Sequence, residues 1–281
     1  MKLLEVIEKM GSIRALTVGD TMTDRYVFCE ANRLCPEGPV PVLVPIKTEN
    51  ANGGAGHAAD QLMQLCQASW NFFAASPSVK TRYFVGHHLV SRVDEDKICP
   101  LPDDTKIEGL AKHLKESPRY DVIVISDYAK GMMSSKFCKW VVSYGATNQI
   151  PVIVDPKGKD WDKYAGCTLI CPNVHELKAW EGTAMFPFML LKCGEAGLTL
   201  YQPSGSRESP AAARHVFDVT GAGDVVTALA AAVLGAGGTM VQAARFSNLI
   251  AGWSVGEVGT VVCSKAKVIE LVKAAGADFY E

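Results

Sequence analysis

Apolar and polar positions along this chain follow two patterns that alternate along the sequence. Apolar residues at helical spacing, first seen over residues 3–10, predict amphipathic helices, and short apolar runs such as residues 121–126 predict buried strands. Strands that alternate with helices are typical of a parallel sheet with crossover helices, so the pattern predicts an α/β fold with a central, mainly parallel sheet flanked by helices. The other predicted strands are 13–18, 151–154, 168–171, 188–192 and 198–202, and the other predicted helices are 57–67, 107–115, 137–144, 240–257 and 264–274.

Two segments depart from this alternation. Residues 26–46 contain three closely spaced prolines and then an alternating run, which favours extended strands outside the main sheet because proline suits sheet edges. Residues 81–93 also alternate and are rich in β-forming residues. Together they predict a small sheet that covers a site, with lid strands at approximately residues 26–48 and 79–98.

Polar residues follow almost every predicted strand. Asp20 and Asp24 follow the first strand, and clusters at residues 127–131, 155–158 and 172–176 follow later ones. Ligands of open parallel sheets bind at the carboxyl ends of the strands, so a common site is predicted along that edge. Each cluster taken alone is equally consistent with a turn or a helix cap.

The most informative stretch is residues 216–234. A short β-like run is expected to end at Asp218, after a polar loop that follows residue 202. Gly221, Ala222 and Gly223 then form a turn before a long apolar helix, and such a turn lets backbone amides approach an anion closely. Asp224 at the start of that helix is either a helix cap or a base that takes a proton from an attacking hydroxyl. The glycines after Asn52 give a weaker signal of the same kind before the helix predicted at 57–67.

Basic residues of the lid segments are candidates for an anionic substrate. Lys80, Arg82 and Arg92 could grip such a group, although solvated charges on an outer face are the common alternative. His87 and His88 are neighbours on a predicted strand and would point to opposite faces, so no metal pair is expected there.

Composition narrows the class of protein. The chain has 281 residues, of which 48% are hydrophobic and 21% charged, which is typical of a globular protein, here expected as a single domain over residues 1–281. A net charge of −2 gives no electrostatic footprint for nucleic acid or an anionic membrane. Nine cysteines without a C-x-x-C pair indicate reduced thiols and a cytoplasmic location. The first residues resemble a helix rather than a signal peptide, and the apolar run at 225–236 is too short to span a bilayer.

Several motifs together resemble the ribokinase-like (PfkB) sugar kinases. The most specific is Asp218-Val219-Thr220-Gly221-Ala222-Gly223-Asp224. The others are Gly53-Gly54, Asn173-x-x-Glu176, Gly194-x-x-Gly197, and Asn248 to Gly252 with Gly259-Thr260. Within this family the chain is most similar to the heptose 7-phosphate kinases of ADP-heptose synthesis, through the segments 18–26, 36–42, 126–131 and 155–158.

The resemblance implies an activity, cofactors and roles for particular residues. The implied reaction is ATP-dependent phosphorylation of O1 of a heptose 7-phosphate, with Mg²⁺ and a monovalent cation such as K⁺. Independently of the resemblance, a homodimer through the lid is an expectation from the lid strands, because exposed strand edges invite partners. Asp224 is the implied base, and the amides of Gly221, Ala222 and Gly223 stabilise the transferring group. The implied sugar-binding residues are Asp20, Asp24, Asn52, Gly53, Gly54, Arg82, Arg92, Asp127 and Lys130. The implied nucleotide-binding residues are Asn173, Glu176, Lys192, Gly194, Gly197 and Asn248, with Glu176 holding Mg²⁺ through water.

The chain departs from the family pattern in four places. His57 stands where the Gly-Gly turn is usually followed by an Asn that contacts the sugar. The segments near 66–78 and 181–189 are short, with little room for a strand and helix in the first and a helix in the second. The chain ends without an H-x-G-H motif, so the bifunctional form of the enzyme is not expected.

The alternatives to a heptose 7-phosphate kinase are another sugar or nucleoside kinase of this family, or a binding homologue without catalysis.

Overall fold

The main sheet has eight strands with helices on both faces. The computed structural model describes residues 2–73, 78–98, 100–212, 216, 218–257 and 259–276. The strand order is β12-β11-β10-β9-β8-β7-β1-β4, and every neighbouring pair from β10 to β4 is parallel. The strands are β1 (Arg14–Gly19), β4 (Ala68–Phe73), β7 (Val122–Ser126), β8 (Val152–Asp155), β9 (Leu169–Ile170), β10 (Met189–Lys192), β11 (Leu198–Gln202) and β12 (Gly205–Ser209). The predicted α/β class and the mainly parallel sheet are therefore confirmed.

Two apolar layers hold the helices against this sheet. One contains side chains of Leu3, Leu62 and Leu229, and the other contains Leu110 and Phe137 on the opposite face. Burial of such side chains on both faces explains why the central strands are almost wholly apolar. The helices are α1 (Leu3–Met10), α2 (Ala55–Leu65), α3 (Asp103–Glu116), α4 (Ser135–Asn148), α5 (Val174–Ala179), α6 (Ala222–Gly235), α7 (Met240–Ser254) and α8 (Lys265–Ala275).

A second sheet of four strands forms the lid sheet, in the order β3-β2-β5-β6. Its strands are β2 (Thr21–Glu30), β3 (Val44–Gly54), β5 (Ser78–Val85) and β6 (His88–Glu95). The sheet extends closer to the main sheet than the sequence predicts. Thr21 pairs with Gly54 in the β2–β3 ladder, so Asn52, Gly53 and Gly54 end a strand and do not form a separate turn before α2. The three prolines lie between β2 and β3, where their missing N–H groups break no ladder.

Some local predictions are wrong. Residues 66–78 do have room for a strand, because β4 pairs in parallel with β1 at the edge of the main sheet, while residues 74–77 lie outside the described residues. The loop expected after residue 202 contains β12, which pairs antiparallel with β11. His87 lies in the β5–β6 turn, so it does not share a strand with His88. Val216 and Asp218 are not in a strand, and Phe217 is outside the described residues.

Candidate active site

The turn of residues 220–223, called the glycine turn below, joins Asp218 to α6. The carboxylate of Asp218 accepts hydrogen bonds from the Thr220 amide at 2.9 Å and from the Gly259 amide at 3.0 Å, which ties the turn to the segment after α7. Gly221 has a φ of +76°, a left-handed conformation that glycine adopts without steric cost. Helix α6 begins at Ala222, so its first amides and its positive dipole end face the same side as the turn.

Asp224 lies in the first turn of α6 and is 4% exposed. Its Oδ1 accepts a hydrogen bond of 2.7 Å from the Tyr128 hydroxyl, and its Oδ2 lies 3.6 Å from Nδ1 of His57. Burial and the neighbouring charges of Asp224 and Asp155 raise the pKa of Tyr128 well above its usual value. Tyr128 therefore stays protonated and acts as a donor to the carboxylate. Among the described residues, the hydrogen bond to the Asp224 carboxylate comes from Tyr128 and not from an amide of the glycine turn, which weakens the interpretation of Asp224 as a cap.

A cavity of about 640 Å³, the main cavity, opens beside the glycine turn. Its charged lining residues include Asp155, Lys192 and Glu176, and Lys192 lies against Gly223 of the glycine turn. Most of the remaining lining is small and apolar and comes from the β10–β11 turn, from the segment before the glycine turn and from α7. The cavity therefore has a charged end beside the glycine turn and an apolar part elsewhere, a division that suits a ligand with phosphates and a flat apolar ring.

Lys192 and Asp155 form a buried ion pair at the charged end of the main cavity. Lys192 Nζ donates to Asp155 Oδ1 at 2.7 Å and would lie 3.3 Å from a Cβ on Gly223. Burial, together with the charges of Asp224 and Glu176, raises the pKa of Asp155 to about 7 in spite of Lys192. Burial opposes the charge on Lys192, but the carboxylates of Asp155 and Glu176 outweigh it and raise the pKa of Lys192. The ammonium group of Lys192 is thus held against the glycine turn.

Asn173 and Glu176 form a capping box at the start of α5. The Asn173 side chain accepts from the Glu176 amide at 2.9 Å, and the Glu176 carboxylate accepts from the Asn173 amide at 2.8 Å. The other oxygen of Glu176 pairs with Lys157 at 2.9 Å. Both residues still line the main cavity, so the structural role does not remove them from the site.

The donors present fit a magnesium ion that is held mostly by phosphate oxygens and water. Among the described residues, no group of three or more His, Cys, Asp or Glu side chains is arranged to hold a metal ion. Glu176 and Asp155 nevertheless bring carboxylates to the charged end of the main cavity. Mg²⁺ in nucleotide sites commonly uses one or two carboxylates and keeps several waters, so this donor set is sufficient.

One face of the lid sheet carries a cluster of charges, called the lid cluster. Asp24 and Arg82 form a buried ion pair, and a Cβ on Gly53 would lie 2.3 Å from the Asp24 carboxylate. Lys80 pairs in register with Asp24 and lies over the Tyr128 ring at 5.6 Å, which links the cluster to Asp224. The peripheral members are Arg92, Asp94, Lys130 and Asp96, with ion pairs Arg92–Asp94 at 2.6 Å and Lys130–Asp96 at 2.7 Å.

Two of the predicted sugar-binding carboxylates, Asp20 and Asp127, bond to other groups of the protein. Asp20 accepts hydrogen bonds from the amides of Tyr128, Lys130 and Met132, at 2.9 to 3.0 Å. Burial raises the pKa of Asp20 although these amides oppose the shift. Asp127 accepts from the Ala129 amide, the Tyr164 hydroxyl and the Lys163 ammonium. Both carboxylates therefore shape the 127–132 turn, and Asp127 also lines the main cavity.

Two predicted amide side chains bond to the protein itself. Asn52 donates to Asp60 at 2.8 Å, and it lies in register with Thr23, on the face of the β2–β3 ladder opposite Asp24. Asn248 lines the main cavity and donates to the Pro210 carbonyl at 2.7 Å. Gly54 has a φ of +60° and packs against the Tyr128 ring. Gly194 and Gly197 also have positive φ and line the main cavity.

Tyr128 and Asp155 are site residues that the motif reading of the sequence did not select. Both lie at the carboxyl ends of strands, Tyr128 two residues after β7 and Asp155 at the end of β8. Their position in the strand-end clusters was the available signal. The hydrogen bond from Tyr128 to Asp224 joins residues 96 positions apart, and spacing along the chain cannot reveal such a contact.

The sequence matches the family described as "pfkB family carbohydrate kinase" over residues 105–267, more than half of the chain. The chain belongs to this family. It is 32% identical to the bifunctional protein HldE of Rhodospirillum rubrum over 96% of this chain and 64% of that protein. It is 33% identical to the bifunctional protein HldE of Geobacter metallireducens over 92% of this chain and 62% of that protein. The chain thus spans a little under two thirds of the length of these curated relatives.

Solved structures of other kinases have the same fold. Phosphofructokinase-2 from Escherichia coli in complex with potassium superposes with a TM-score of 0.72, at 15% identity, over 92% of this chain and 98% of that chain. Arabidopsis thaliana ribokinase complexed with ribose and ATP gives 0.64, at 18% identity, with the same coverage of 92% and 98%. The pfkB chain is therefore ribokinase-like in fold. Among its described helices, none has the length and apolar character needed to cross a bilayer.

Proposed function

We propose that this chain transfers the γ-phosphoryl group of ATP to O1 of a heptose 7-phosphate, giving the 1,7-bisphosphate that ADP-heptose synthesis requires. The observation that carries the proposal is the buried carboxylate of Asp224, placed beside the glycine turn between the main cavity and the lid cluster. Membership of the pfkB family and the likeness to HldE proteins support it. The choice of sugar rests on the motif segments at 18–26, 36–42, 126–131 and 155–158.

Asp224 acts as the base in this mechanism. Its carboxylate takes the proton of the acceptor hydroxyl while that oxygen forms a bond to the γ-phosphorus. The bond from the γ-phosphorus to the β–γ bridging oxygen breaks, and its electron pair leaves with ADP. The Tyr128 hydroxyl holds Oδ1 of Asp224, so the carboxylate is oriented before the sugar arrives.

The charge of the transferring group is met by donors on the opposite side. The amides of the glycine turn and of the first turn of α6 face the γ-phosphoryl group, and Lys192 adds a cation beside Gly223. Glu176, with Asn173, would hold Mg²⁺ through water. When bound, Mg²⁺ neutralises charge on the nucleotide phosphates. We also propose a monovalent cation such as K⁺ as a further cofactor.

The lid cluster is suited to a phosphorylated sugar. Asp24 presents a carboxylate to sugar hydroxyls, and the absence of a side chain at Gly53 leaves the space in which this carboxylate lies. Lys80, Arg92 and Lys130 supply cations at the far end of the cluster. Arg92 and Lys130 are now paired with Asp94 and Asp96, and a phosphate competes for both cations because it carries more charge than a carboxylate.

A kinase for a different sugar is the second candidate. The observation in its favour is His57, which occupies a position that the resemblance assigns to a sugar-binding Asn, although its ring lies under Asp224. A non-catalytic homologue is disfavoured because Asp224, Lys192 and the glycine turn are all in place.

Mass spectrometry of the products decides between these functions. ATP and Mg²⁺ are supplied with heptose 7-phosphate, unphosphorylated heptose, fructose 6-phosphate or ribose. We expect one added phosphoryl group on heptose 7-phosphate and at least about a hundredfold lower kcat/KM for the unphosphorylated heptose, which offers the lid cations no phosphate to bind. A preference for any other acceptor contradicts the assigned sugar. If no acceptor is phosphorylated by ATP, the kinase assignment is contradicted.

We further propose that two copies associate through the lid sheet and that the protein works in the cytoplasm. Val44, Ile46 and Leu89 of the lid sheet are more than half exposed, and exposed apolar patches commonly mark protein interfaces. The described cysteines are free, which fits a reducing compartment.

A further inference from the structure

His57, the third residue of α2, is packed under the glycine turn and is 1% exposed. Its Nδ1 lies 3.6 Å from Oδ2 of Asp224, and its Nε2 lies 3.2 Å from the carbonyl oxygen of Val261. A Cβ on Gly221 would lie 2.6 Å from the ring, so the ring touches the backbone of the turn directly. His57 therefore contacts both the base and the turn that faces the phosphoryl group.

The carbonyl of Val261 fixes which ring nitrogen carries a hydrogen. A carbonyl oxygen can only accept, so Nε2 of His57 is the donor in that contact. In the neutral ring Nδ1 then has a lone pair, which faces the Asp224 carboxylate. Nδ1 is buried and has no hydrogen-bond partner among the residues that the structure describes. A second proton on the ring turns this repulsive contact into an ion pair.

The groups around the ring favour that second proton. Asp224 faces it from α6, Asp60 lies one turn further along α2, and the Val261 carbonyl faces it from the segment after α7. Burial disfavours the charged ring, but the interactions with Asp224, then Val261 and Asp60, outweigh it, so the pKa of His57 is raised. A polar cleft of about 430 Å³, lined by His57, Asp60 and Asn52, opens beside the ring and gives it proton exchange with solvent.

We propose that His57 is a positioning residue for Asp224. The protonated ring holds Oδ2 while the Tyr128 hydroxyl holds Oδ1, and the carboxylate is thereby fixed toward the acceptor hydroxyl. Each carboxylate oxygen keeps a lone pair for the proton of the acceptor. This inference rests on the proposed role of Asp224 as the base, and it adds a titratable group that controls the orientation of that base.

The arrangement makes the transfer step sensitive to pH. Because the pKa of His57 is raised above its ordinary value, the ring keeps its second proton to a higher pH than a free imidazole and loses the Nδ1 proton as the pH rises further. The lone pair then faces Asp224 and the carboxylate is no longer held. We expect kcat to fall along this alkaline limb, whereas the KM for the sugar changes little because His57 lies behind the base and outside the lid cluster.

The first test compares the pH profile of kcat in the wild-type chain and in His57→Gln. Gln keeps an amide donor for the Val261 carbonyl but cannot titrate. As the pH rises through the raised pKa of His57 we expect wild-type kcat to fall severalfold, while kcat of His57→Gln is about tenfold lower at pH 7 and shows no such fall. His88→Gln, an exposed histidine at the start of β6, is the matched control and should keep the wild-type profile. A wild-type alkaline limb in His57→Gln overturns the proposal.

The second test needs no turnover and no variant at His57. The ring of His57 is titrated by NMR in the wild-type chain and in Asp224→Asn. We expect a pKa lower by about one unit or more in Asp224→Asn, because the carboxylate that favours the charged ring is gone. An unchanged pKa overturns the pairing. Failure of the proposed function shows instead as missing phosphoryl transfer in the product assay, so the two failures are distinguishable.

Discussion

At the scale of single residues, the buried carboxylates of this chain fall into two groups. Asp20 and Asp127 direct their oxygens at backbone amides and at Lys163 or Tyr164, whereas Asp24 and Asp224 face the lid cluster and the glycine turn. The first group fixes the turn that carries Tyr128 and Lys130, and the second group is the one proposed to contact the substrate. Loss of a member should therefore affect stability in one group and catalysis in the other.

Asp20→Asn and Asp224→Asn form a matched pair that tests this division. Asp20→Asn places an amide against three backbone N–H donors, so we expect a loss of about 1–3 kcal/mol in the free energy of unfolding. Asp224→Asn should keep the fold but lower kcat by about a hundred- to ten-thousandfold, because a proton acceptor is removed. Urea unfolding and steady-state kinetics measure the two effects. Near-normal turnover in Asp224→Asn would refute its role as base.

The sequence alone predicts that these carboxylates lie at strand ends, but it does not show which of them bond to backbone amides and which face the candidate site. Asp20 and Asp127 were predicted at strand ends, and that is where they lie. The amides that occupy Asp20 come from residues 108 to 112 positions further along, so only the register of β1 against β7 brings them together. The contact of His57 with Asp224 is equally non-local, since it depends on how α2 packs against α6.

At the scale of elements, the glycine turn and α6 depend on α2 behind them. Helix α6 is almost entirely apolar and was predictable from its sequence, as were most strands of the main sheet, because burial on both faces leaves continuous apolar runs. Strands β4 and β12 and the inner ends of β2 and β3 were not predictable. Strand β12 and the inner ends of β2 and β3 are polar, whereas β4 lies in a segment that the sequence predicts to be too short for a strand. All of them form because an adjacent strand supplies their hydrogen bonds.

Gly221→Ala tests the contact between the glycine turn and α2. The residue has a φ of +76°, and its new Cβ would lie 2.6 Å from the His57 ring. Gly86→Ala in the β5–β6 turn is the control, because Gly86 also has a positive φ, +58°, but has open space around it. We expect Gly86→Ala to cost about 1–2 kcal/mol from backbone strain alone, and Gly221→Ala to cost more and to lower kcat. Thermal unfolding and kinetics measure both; equal costs with normal kcat would show that the ring does not confine the turn.

At the scale of the whole molecule, the lid sheet is the part whose surroundings within one chain are incomplete. It meets the main sheet through Gly54 and Tyr128 on one side, while Ile46 is 64% exposed, Leu89 54% and Val93 46%. The main sheet, by contrast, buries both of its faces under helices. A lid covered by a second copy would bury these side chains and hold the lid cluster over Asp224.

The proposed dimer can therefore be tested by two measurements, the molar mass in solution and the KM for the sugar. Ile46→Lys places a charge on the exposed lid surface, and Met185→Lys, at a side chain that is 90% exposed outside the lid, is the matched control. Light scattering should give twice the chain mass for the wild-type chain and for Met185→Lys, and the mass of one chain for Ile46→Lys. Because the lid cluster is the proposed sugar site, the monomeric variant should have a raised KM for the sugar with a smaller change in the KM for ATP. A wild-type monomer at all concentrations would exclude the dimer, and an Ile46→Lys monomer with unchanged KM for the sugar would separate dimerisation from sugar binding.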